Sequence, residues 1–496
     1  MTILTFPTGS ALRVHPEDSV AVALRPLAAG EMAGVPLREA IGQGHKFALR
    51  AHATGDVVTK YGLPIGVATR DIAPGEHVHS HNLATALAGE LEYAEGVHPA
   101  FSAAPAAQQP EWQGYLRADG LAATRNEVWI LPTVGCVALT AEQVAREAMQ
   151  RHAGRIDGVH AYAHPHGCSQ LGDDLAGTRA ALAGLAANPN AVGVLLLGLG
   201  CESNQLDRLL EDVPVAARSK VRTLSSQSAG DELAEAARLV DELVEQAATA
   251  RRQPLPLSAL RVGLKCGGSD GLSGLTANPL LGRLTDRLCA AGGTAILTEI
   301  PEIFGAEQAL LARSRDAATF AAGAAMVNRF KRYYLDQGLP VSENPSPGNL
   351  AGGITTLEEK SLGAVQKAGT APLCHVADYG AQAPAGGLTL LESPGNDAVS
   401  STALAAAGAT MVLFTTGRGT PLGFPVPTIK VASNRALASA KPHWIDFDAS
   451  RALDEGAEAA DAAFLDCLLG HASGQPTAAE RAGQHAIAIW KRGVTL

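Results

Sequence analysis

The feature that most limits how this chain can fold is an alternation. Short, almost wholly apolar runs are each followed by a helix-like stretch. From Val128 the pattern predicts a strand to Val134 and a helix opened by Thr140, with Gln143 three residues on as a capping box. It continues with a strand over Gly158–His164, a helix over Asp173–Ala187, a strand over Ala191–Gly198 and a polar helix after Asn204. A strand over Val221–Leu224 and a long helix, Asp231–Arg251, follow. Strands apolar on both faces and separated by helices imply a parallel sheet covered on both sides.

The alternation resumes near Leu255. A helix is expected over Pro279–Ala290, a strand over Thr294–Thr298 and a long helix from Ala306 to about Tyr334. Strands near Leu388–Glu392 and Met411–Thr415 flank a helix over Ala398–Ala407. Residues 11–88 read differently, as short strands ("SVAVAL", "HKFALR", "VVTKYG", "IGVATR") punctuated by Gly and Pro, a small β module. "FSAAPAAQQPEWQ" (Phe101–Gln113) has no periodicity and reads as a linker. At 496 residues the chain exceeds one core. The expected division is 1–90 for the β module, 91–113 for the linker, 114–253 for a central α/β domain and 254–496 for a C-terminal one.

A net charge of -10 disfavours nucleic acid and anionic membranes as partners, since both reward a basic face. The longest apolar run, Ala191–Gly200, is too short to span a bilayer. No signal peptide is read at the N-terminus, and seven cysteines are too sparse for a disulfide scaffold. The expectation is a cytoplasmic protein with reduced thiols.

Four of those thiols close apolar runs: "VWILPTVGC" at Cys136, "AYAHPHGC" at Cys168, "VGVLLLGLGC" at Cys201 and "LRVGLKC" at Cys266. In open parallel sheets, ligands bind outside the carboxyl ends of the strands. Cysteines at those ends suit iron or zinc, and several together suit an iron–sulfur cluster. The alternative is that each is a small residue buried at a turn. "EHVHSHN" offers a second metal candidate, because His77, His79 and His81 would share one face of a strand; a solvated edge strand is its alternative. Three polar loops at strand ends, Lys265–Pro279, Glu343–Ser361 and Phe414–Gly423, point to a small-molecule site, with Arg418 a clamp for a carboxylate. "GLGCES" lacks the third glycine of a dinucleotide fingerprint, and no phosphate loop is present.

Taken together, "HPEDSVAVAL", "GHKFAL", "GEHVHSHN", "RNEVWILPTVGC", "GCSQLGDD", "CGGSDGLSGLTANP", "TEIPEIFGAEQ", "ENPSPGN", "GGITTLEEKSLG", "LFTTGRGTP" and the final "GVTL" resemble the altronate/galactarate dehydratase family along essentially the whole chain. The resemblance implies an α/β multidomain protein: a small N-terminal β-clip (SAF-type) domain, then two α/β domains with largely parallel sheets. It implies a hydro-lyase using iron(II), Fe2+, with manganese, Mn2+, as a substitute. The reaction would take D-altronate to 2-dehydro-3-deoxy-D-gluconate and water in hexuronate catabolism. "GEHVHSHN" and the short C-terminus resemble the altronate branch, and Pro165-His166 departs from its usual Thr-Tyr.

Within the matched motifs His45, Lys46, His164 and Lys360 are the candidates for proton transfer. Asp270, Ser273, Asn278 and Asn349 would orient the polyol and Arg418 would take the carboxylate. Cys168, Cys201 and Cys266, with Cys136, or else His77, His79 and His81, would hold the metal. A homodimer with a small sugar-acid substrate is expected. Galactarate dehydration or sulfo-acid elimination on the same scaffold, or a non-catalytic sugar-acid-binding protein, are the rival readings.

Overall fold

The computed structural model describes residues 4–5, 9–97 and 109–496. The N-terminal module is all β. A five-stranded antiparallel sheet runs through Ala11–Arg13, Val20–Ala23, Lys46–Ala48 and His77–Val78, with Leu4–Thr5 at its edge. A three-stranded sheet joins Val57–Lys60, Leu63–Ala68 and Leu83–Ala84. Its strands are short because Gly and Pro interrupt the chain every few residues.

The central domain carries a four-stranded, wholly parallel sheet in the order Gly158–Ala161, Glu127–Pro132, Ala191–Gly198, Val221–Ser225. Side chains alternate across it as strand geometry requires. Val128 and Ile130 pack with Val144 and Val240 of the helices Ala138–Arg151 and Glu232–Ala247. Trp129 and Leu131 face the other way, onto Leu182 of the helix Gly172–Ala187. That second layer continues into the C-terminal domain, where the same cluster includes Leu404 and Phe414. At Gly184 a β-carbon would stand 2.4 Å from the Ala406 carbonyl oxygen, so only glycine lets the two domains approach this closely.

The C-terminal domain is built on a seven-stranded parallel sheet. Its order is Leu373–Ala377, Gly387–Leu391, Thr294–Leu297, Arg261–Cys266, Met411–Thr416, Thr428–Ala432, Phe447–Asp448. The α/β reading with parallel sheets therefore holds for both large domains.

Several local expectations differ. The stretch read as a linker lies outside the described residues over 101–108, but Glu111–Leu116 is a strand pairing antiparallel with Gln253–Pro256. This small sheet ties the start of the central domain to the start of the next one. Thr140 does not cap a helix. The turn Gly135–Val137 runs straight into Ala138–Arg151, which has no side-chain cap. The long helix expected from Ala306 is two helices, Glu307–Leu311 and Ala317–Asp336, and Asp316 restarts the chain by accepting from the Thr319 amide at 2.7 Å. Among the described residues, no helix is long and apolar enough to cross a membrane.

Candidate active site

The strand Arg261–Cys266 lies at the centre of the seven-stranded sheet, and its carboxyl end delivers Lys265 and Cys266. Beside it the strand Thr294–Leu297 leads to Glu299, whose φ of +71° is the left-handed region, unusual for a residue with a side chain. Such a conformation costs roughly 1–3 kcal/mol and persists only where surrounding contacts hold it. Here the Cys266 amide donates to Glu299 Oε2 at 2.9 Å, and the Ile300 amide to the Ser393 carbonyl at 3.0 Å.

Around this turn gathers a buried ionic cluster. Lys265 Nζ pairs with Glu299 Oε1 and, at 2.8 Å, with Asp397 Oδ1. Lys360 Nζ donates to Glu302 Oε1 at 2.8 Å and to Asn344 Oδ1 at 2.9 Å. Lys367 Nζ donates to Cys266 Sγ at 2.7 Å, and that thiol donates to Glu302 Oε2 at 3.2 Å. Three ammonium groups thus face three carboxylates around one thiol. Burial and the Glu299 charge push the Cys266 thiol up to about 12, despite Lys367. At Glu302 burial would raise the value, but Lys360, Lys265 and Lys367 outweigh it and hold the carboxyl down at about 2. Glu299 is raised by burial and by the neighbouring Glu302 charge, against the pull of Lys265. Asp397, with a side chain 39% exposed, is the cluster's contact with solvent.

The helix Leu357–Ala364, capped by Thr356, carries Lys360 and is buried along its length. Its preceding residue, Glu359, reaches the N-terminal module and accepts from Lys46 at 2.7 Å and from Lys60 at 2.8 Å, both lysines being fully buried. Burial pushes Lys46 down to about 8; at Lys60, Glu359 outweighs burial and raises the value. A void of about 10 Å³ lies among Lys60, Asp270, Asn278, Glu359 and Lys360, linking the two ionic groups. It has about the size of one water.

His45 follows the same interface. It shares a 3.0 Å hydrogen bond with His77, and His79 Nε2 donates to the Leu350 carbonyl at 3.0 Å. The rings form a layer with centroids 5.1–5.4 Å apart, and His81 meets His77 at 5.6 Å. Burial lowers His45 and His79 and, with the neighbouring His45, brings His77 to about 3. The strand here is only His77–Val78, so the three histidines of "EHVHSH" do not line one strand face. His77 and His79 stack at 30°, and His81 meets His77 tilted at 42°. Among the described residues the one group of metal-ligating atoms within 4.8 Å of one another is Cys266, Glu299 and Glu302.

Other sequence candidates have structural partners. His164 is buried with Nε2 donating to the Pro132 carbonyl at 2.8 Å and Nδ1 accepting from the His166 amide at 3.2 Å, so both nitrogens pin the loop. Burial brings it to about 4. Ser273 and Ser433 hydroxyls donate to Asp270 Oδ1 at 2.8 Å, and Asn434 donates to Oδ2 at 2.9 Å. Asn278 donates to the Gly363 carbonyl at 2.9 Å and accepts from Thr415 at 2.7 Å. Asn349 caps its own helix and donates to the Ser269 carbonyl at 2.8 Å. These four side chains brace the loops, and Asp270, Ser273 and Asn278 also line the small void beside Lys360. Lys46, read as a proton-transfer group, is likewise an interdomain cation. Arg418 is exposed, and among the described residues its guanidinium has no partner.

The cysteines divide. Cys136, Cys168 and Cys201 are exposed at the carboxyl edge of the central sheet, whereas Cys266 is buried in the other sheet. A cavity of about 980 Å³ opens where the central strands begin, against Glu127, His160 and His485, the edge where open α/β sheets do not place ligands. Sequence reading missed Lys265, Glu299, Glu302, Glu359, Lys367 and Asp397. For Lys265, Glu299 and Glu302 the signal was charge inside apolar runs ("RVGLKC", "TEIPEIFG"), since such residues are almost never buried unpaired.

The described domains coincide with three family descriptions: "Altronate/galactarate dehydratase SAF domain" over residues 9–86, "D-galactarate dehydratase/Altronate hydrolase, second domain" over 114–248, and "D-galactarate/Altronate dehydratase, C-terminal" over 257–495. The chain is 48% identical to the altronate dehydratase of Escherichia coli (strain K12), across 98% of this chain and 99% of that protein. It is 46% identical to the altronate dehydratase of Bacillus subtilis (strain 168), across 98% and 100%. Identity to the galactarate dehydratase (L-threo-forming) of Escherichia coli (strain K12) is 31%, across 89% and 87%. With all three domains matched in order and near-complete coverage in both directions, the chain belongs to the altronate/galactarate dehydratase family.

Proposed function

We propose that this protein is a hydro-lyase converting D-altronate to 2-dehydro-3-deoxy-D-gluconate and water. The observation that carries the substrate is the gap between 46–48% identity to altronate dehydratases and 31% to the galactarate enzyme. The reaction removes the proton α to a carboxylate, expels the neighbouring hydroxyl and lets the enol ketonise. Its difficulty is a second negative charge developing on a carboxylate, which calls for preorganised cations.

Arg418, exposed and unpaired, suits the substrate carboxylate, since guanidinium and carboxylate match bidentately. His45, lowered by burial and therefore neutral at neutral pH, suits the base, and His77 fixes its ring. Lys360, its Nζ held by Glu302 at 2.8 Å, suits the acid that protonates the departing hydroxyl. Groups of this kind are worth roughly 10²–10⁴-fold each.

The resemblance also implies iron(II), with manganese(II) as a substitute. One thiol and two carboxylates fit such borderline metals in ligand type, and Cys266, Glu299 and Glu302 would hold the ion in place of the Lys265 and Lys367 ammonium groups, with Lys360 staying on Glu302. Bound there, the ion would supply Lewis-acid stabilisation of the developing charge. The setting is the reducing cytoplasm, where exposed thiols persist, and the assembly a homodimer, checked by solution mass.

The test is turnover on D-altronate, galactarate and sulfolactate under reducing conditions, with and without iron(II), following loss of water or of sulfite. We expect D-altronate to have the highest kcat/KM, a chelator to abolish turnover and iron(II) to restore it. Higher kcat/KM on galactarate, or sulfite release, would replace the substrate. Full activity after chelation would remove the metal.

A further inference from the structure

Cys136, Cys168 and Cys201 follow the ends of three adjacent parallel strands, with the strand leading to Cys136 in the middle. Neighbouring strands lie about 4.8 Å apart, so topology alone brings the three turns within one small patch. Backbone bonds lace those turns together. The Gly135 amide donates to the His166 carbonyl at 2.9 Å, and the Asn204 amide to the Gly167 carbonyl at 3.0 Å. Asn204 Nδ2 also donates to the Thr133 carbonyl at 3.0 Å. Each thiol sits next to, or within three residues of, one of these ties.

All three thiols are exposed, whereas Cys266, Cys289 and Cys374 are buried, the usual fate of an unreactive cysteine. Left-handed backbone flanks two of them: Gly167 (φ +99°) and Ser169 (φ +56°) stand either side of Cys168, and Gly200 (φ +127°) precedes Cys201. Two of these turns and the end of the next strand, Val221–Ser225, hold three buried polar atoms without partners: Gln170 Nε2, Asn204 Oδ1 and Ser226 Oγ. Unsatisfied buried groups are rare and often mark an ion or group bound nearby. Two of the three can donate hydrogen bonds, as can Gln227 Nε2, which already reaches Cys201 Sγ at 3.4 Å. Thiolate and sulfide sulfurs accept such bonds, and these tune iron–sulfur centres.

We propose that Cys136, Cys168 and Cys201 ligate an iron–sulfur cluster of the four-iron class, with one iron left without a protein thiolate and facing solvent. The ligand set does not include Cys266. A single bare ion is the poorer occupant, because no three ligating atoms of these turns come within 4.8 Å of one another. A cluster inserts its own irons and sulfides between thiolates and so spans them. Each thiol loses its proton as its sulfur bonds iron. The cluster would be a second iron site, separate from the ion proposed at Cys266, Glu299 and Glu302, and the inference rests on the geometry of this edge and not on the substrate.

The experiment is anaerobic isolation of the full chain, or reconstitution with iron(II) and sulfide. Iron and acid-labile sulfide per chain are then measured, together with the visible absorption of sulfide-bridged iron and alkylation of each cysteine followed by peptide mass. We expect iron and sulfide in near-equal amounts, and protection of these three exposed thiols from alkylation until the cluster is removed. Cys136→Ser, Cys168→Ser and Cys201→Ser should each lose most of the sulfide, while Cys266→Ser and Cys374→Ser keep it. Circular dichroism and thermal melts of the same samples separate cluster loss from unfolding. Iron without sulfide, alkylation of all three thiols in the reconstituted protein, or loss of sulfide on Cys266→Ser would each overturn the proposal.

Discussion

Lys360 Nζ is fixed in a buried place by donating to Glu302 at 2.8 Å and to Asn344 at 2.9 Å. As the acid of the reaction its loss should be felt in kcat. Lys360→Met is expected to lower kcat by about 10²–10⁴-fold, and Lys360→Arg to recover only part of it, because a planar fork replaces a point charge. Steady-state rates beside chemical denaturation check this; a variant within tenfold of the parent removes Lys360 from the chemistry. His45 carries a pH prediction. A base must be unprotonated, and burial holds this imidazole below its ordinary value of about 6.5. Activity should therefore be full at neutral pH and fall on the acid side, with the midpoint of kcat/KM below about 6.5. His45→Ala should lose most activity and flatten that limb. An unchanged limb in the variant would assign the titration to another group.

At the scale of elements, the helix Leu357–Ala364 is the hinge of the argument. Three successive charges leave it in different directions. Glu358 accepts from the Ala86 amide at 2.7 Å and from Thr85, Glu359 holds Lys46 and Lys60, and Lys360 enters the Cys266 cluster. The helix therefore joins the β-clip to the C-terminal sheet. Across the same interface a β-carbon on Gly271 would stand 1.9 Å from the Gly44 carbonyl oxygen, so the two backbones touch. Removing one charge here leaves two buried lysines without their carboxylate, and breaking a buried pair costs about 3–5 kcal/mol. Glu359→Gln should lower stability by about that much. Amide exchange should rise in Lys46–Ala48 and Val57–Lys60 and stay unchanged in the central strand Glu127–Pro132. Uniform loss of protection would mean that the clip is not a separable unit.

On the scale of the whole molecule the three domains are not independent. One hydrophobic cluster runs from Val20 and Val58 of the clip to Leu264 and Leu362, and a second joins Leu182 to Leu404. The C-terminal tail crosses back to the central domain. Trp490 stacks on Phe330 with centroids 5.2 Å apart, the Arg492 and Gly493 amides donate to Asp174 at 2.7 and 2.8 Å, and the Leu496 amide donates to the Ser169 carbonyl at 3.0 Å. The tail thus braces the turn that carries Cys168. Deleting residues 491–496 should raise amide exchange over 169–174 and speed alkylation of Cys168, while the melting temperature changes little, since each lost hydrogen bond is worth only about 1 kcal/mol. Unaltered exchange there would show that the tail rests on the turn without holding it.

Much of this was legible in the residues. Apolar runs with flanking helices fixed the parallel sheets, because a strand buried on both faces must be apolar throughout. Right-handed crossovers then required Cys136, Cys168 and Cys201 to share one edge. The family resemblance named the domains and the chemistry. What the chain could not announce was which charges meet. Lys265 and Asp397 are 132 residues apart, as Lys46 and Glu359 are 313 apart, and periodicity reports only that a position is buried. Asp270, Asn278 and Asn349 looked like ligand groups because they are polar and sit in loops, yet folding turns them inward to satisfy backbone and hydroxyl partners. Cys266 looked like its three counterparts, but its strand belongs to a different sheet, where Lys367 and Glu302 surround it. Local sequence determines the elements and the edge each side chain reaches. Only the packing of one sheet against another decides whether a thiol or a charge there meets solvent, a metal or an opposite charge, because that depends on residues hundreds of positions away.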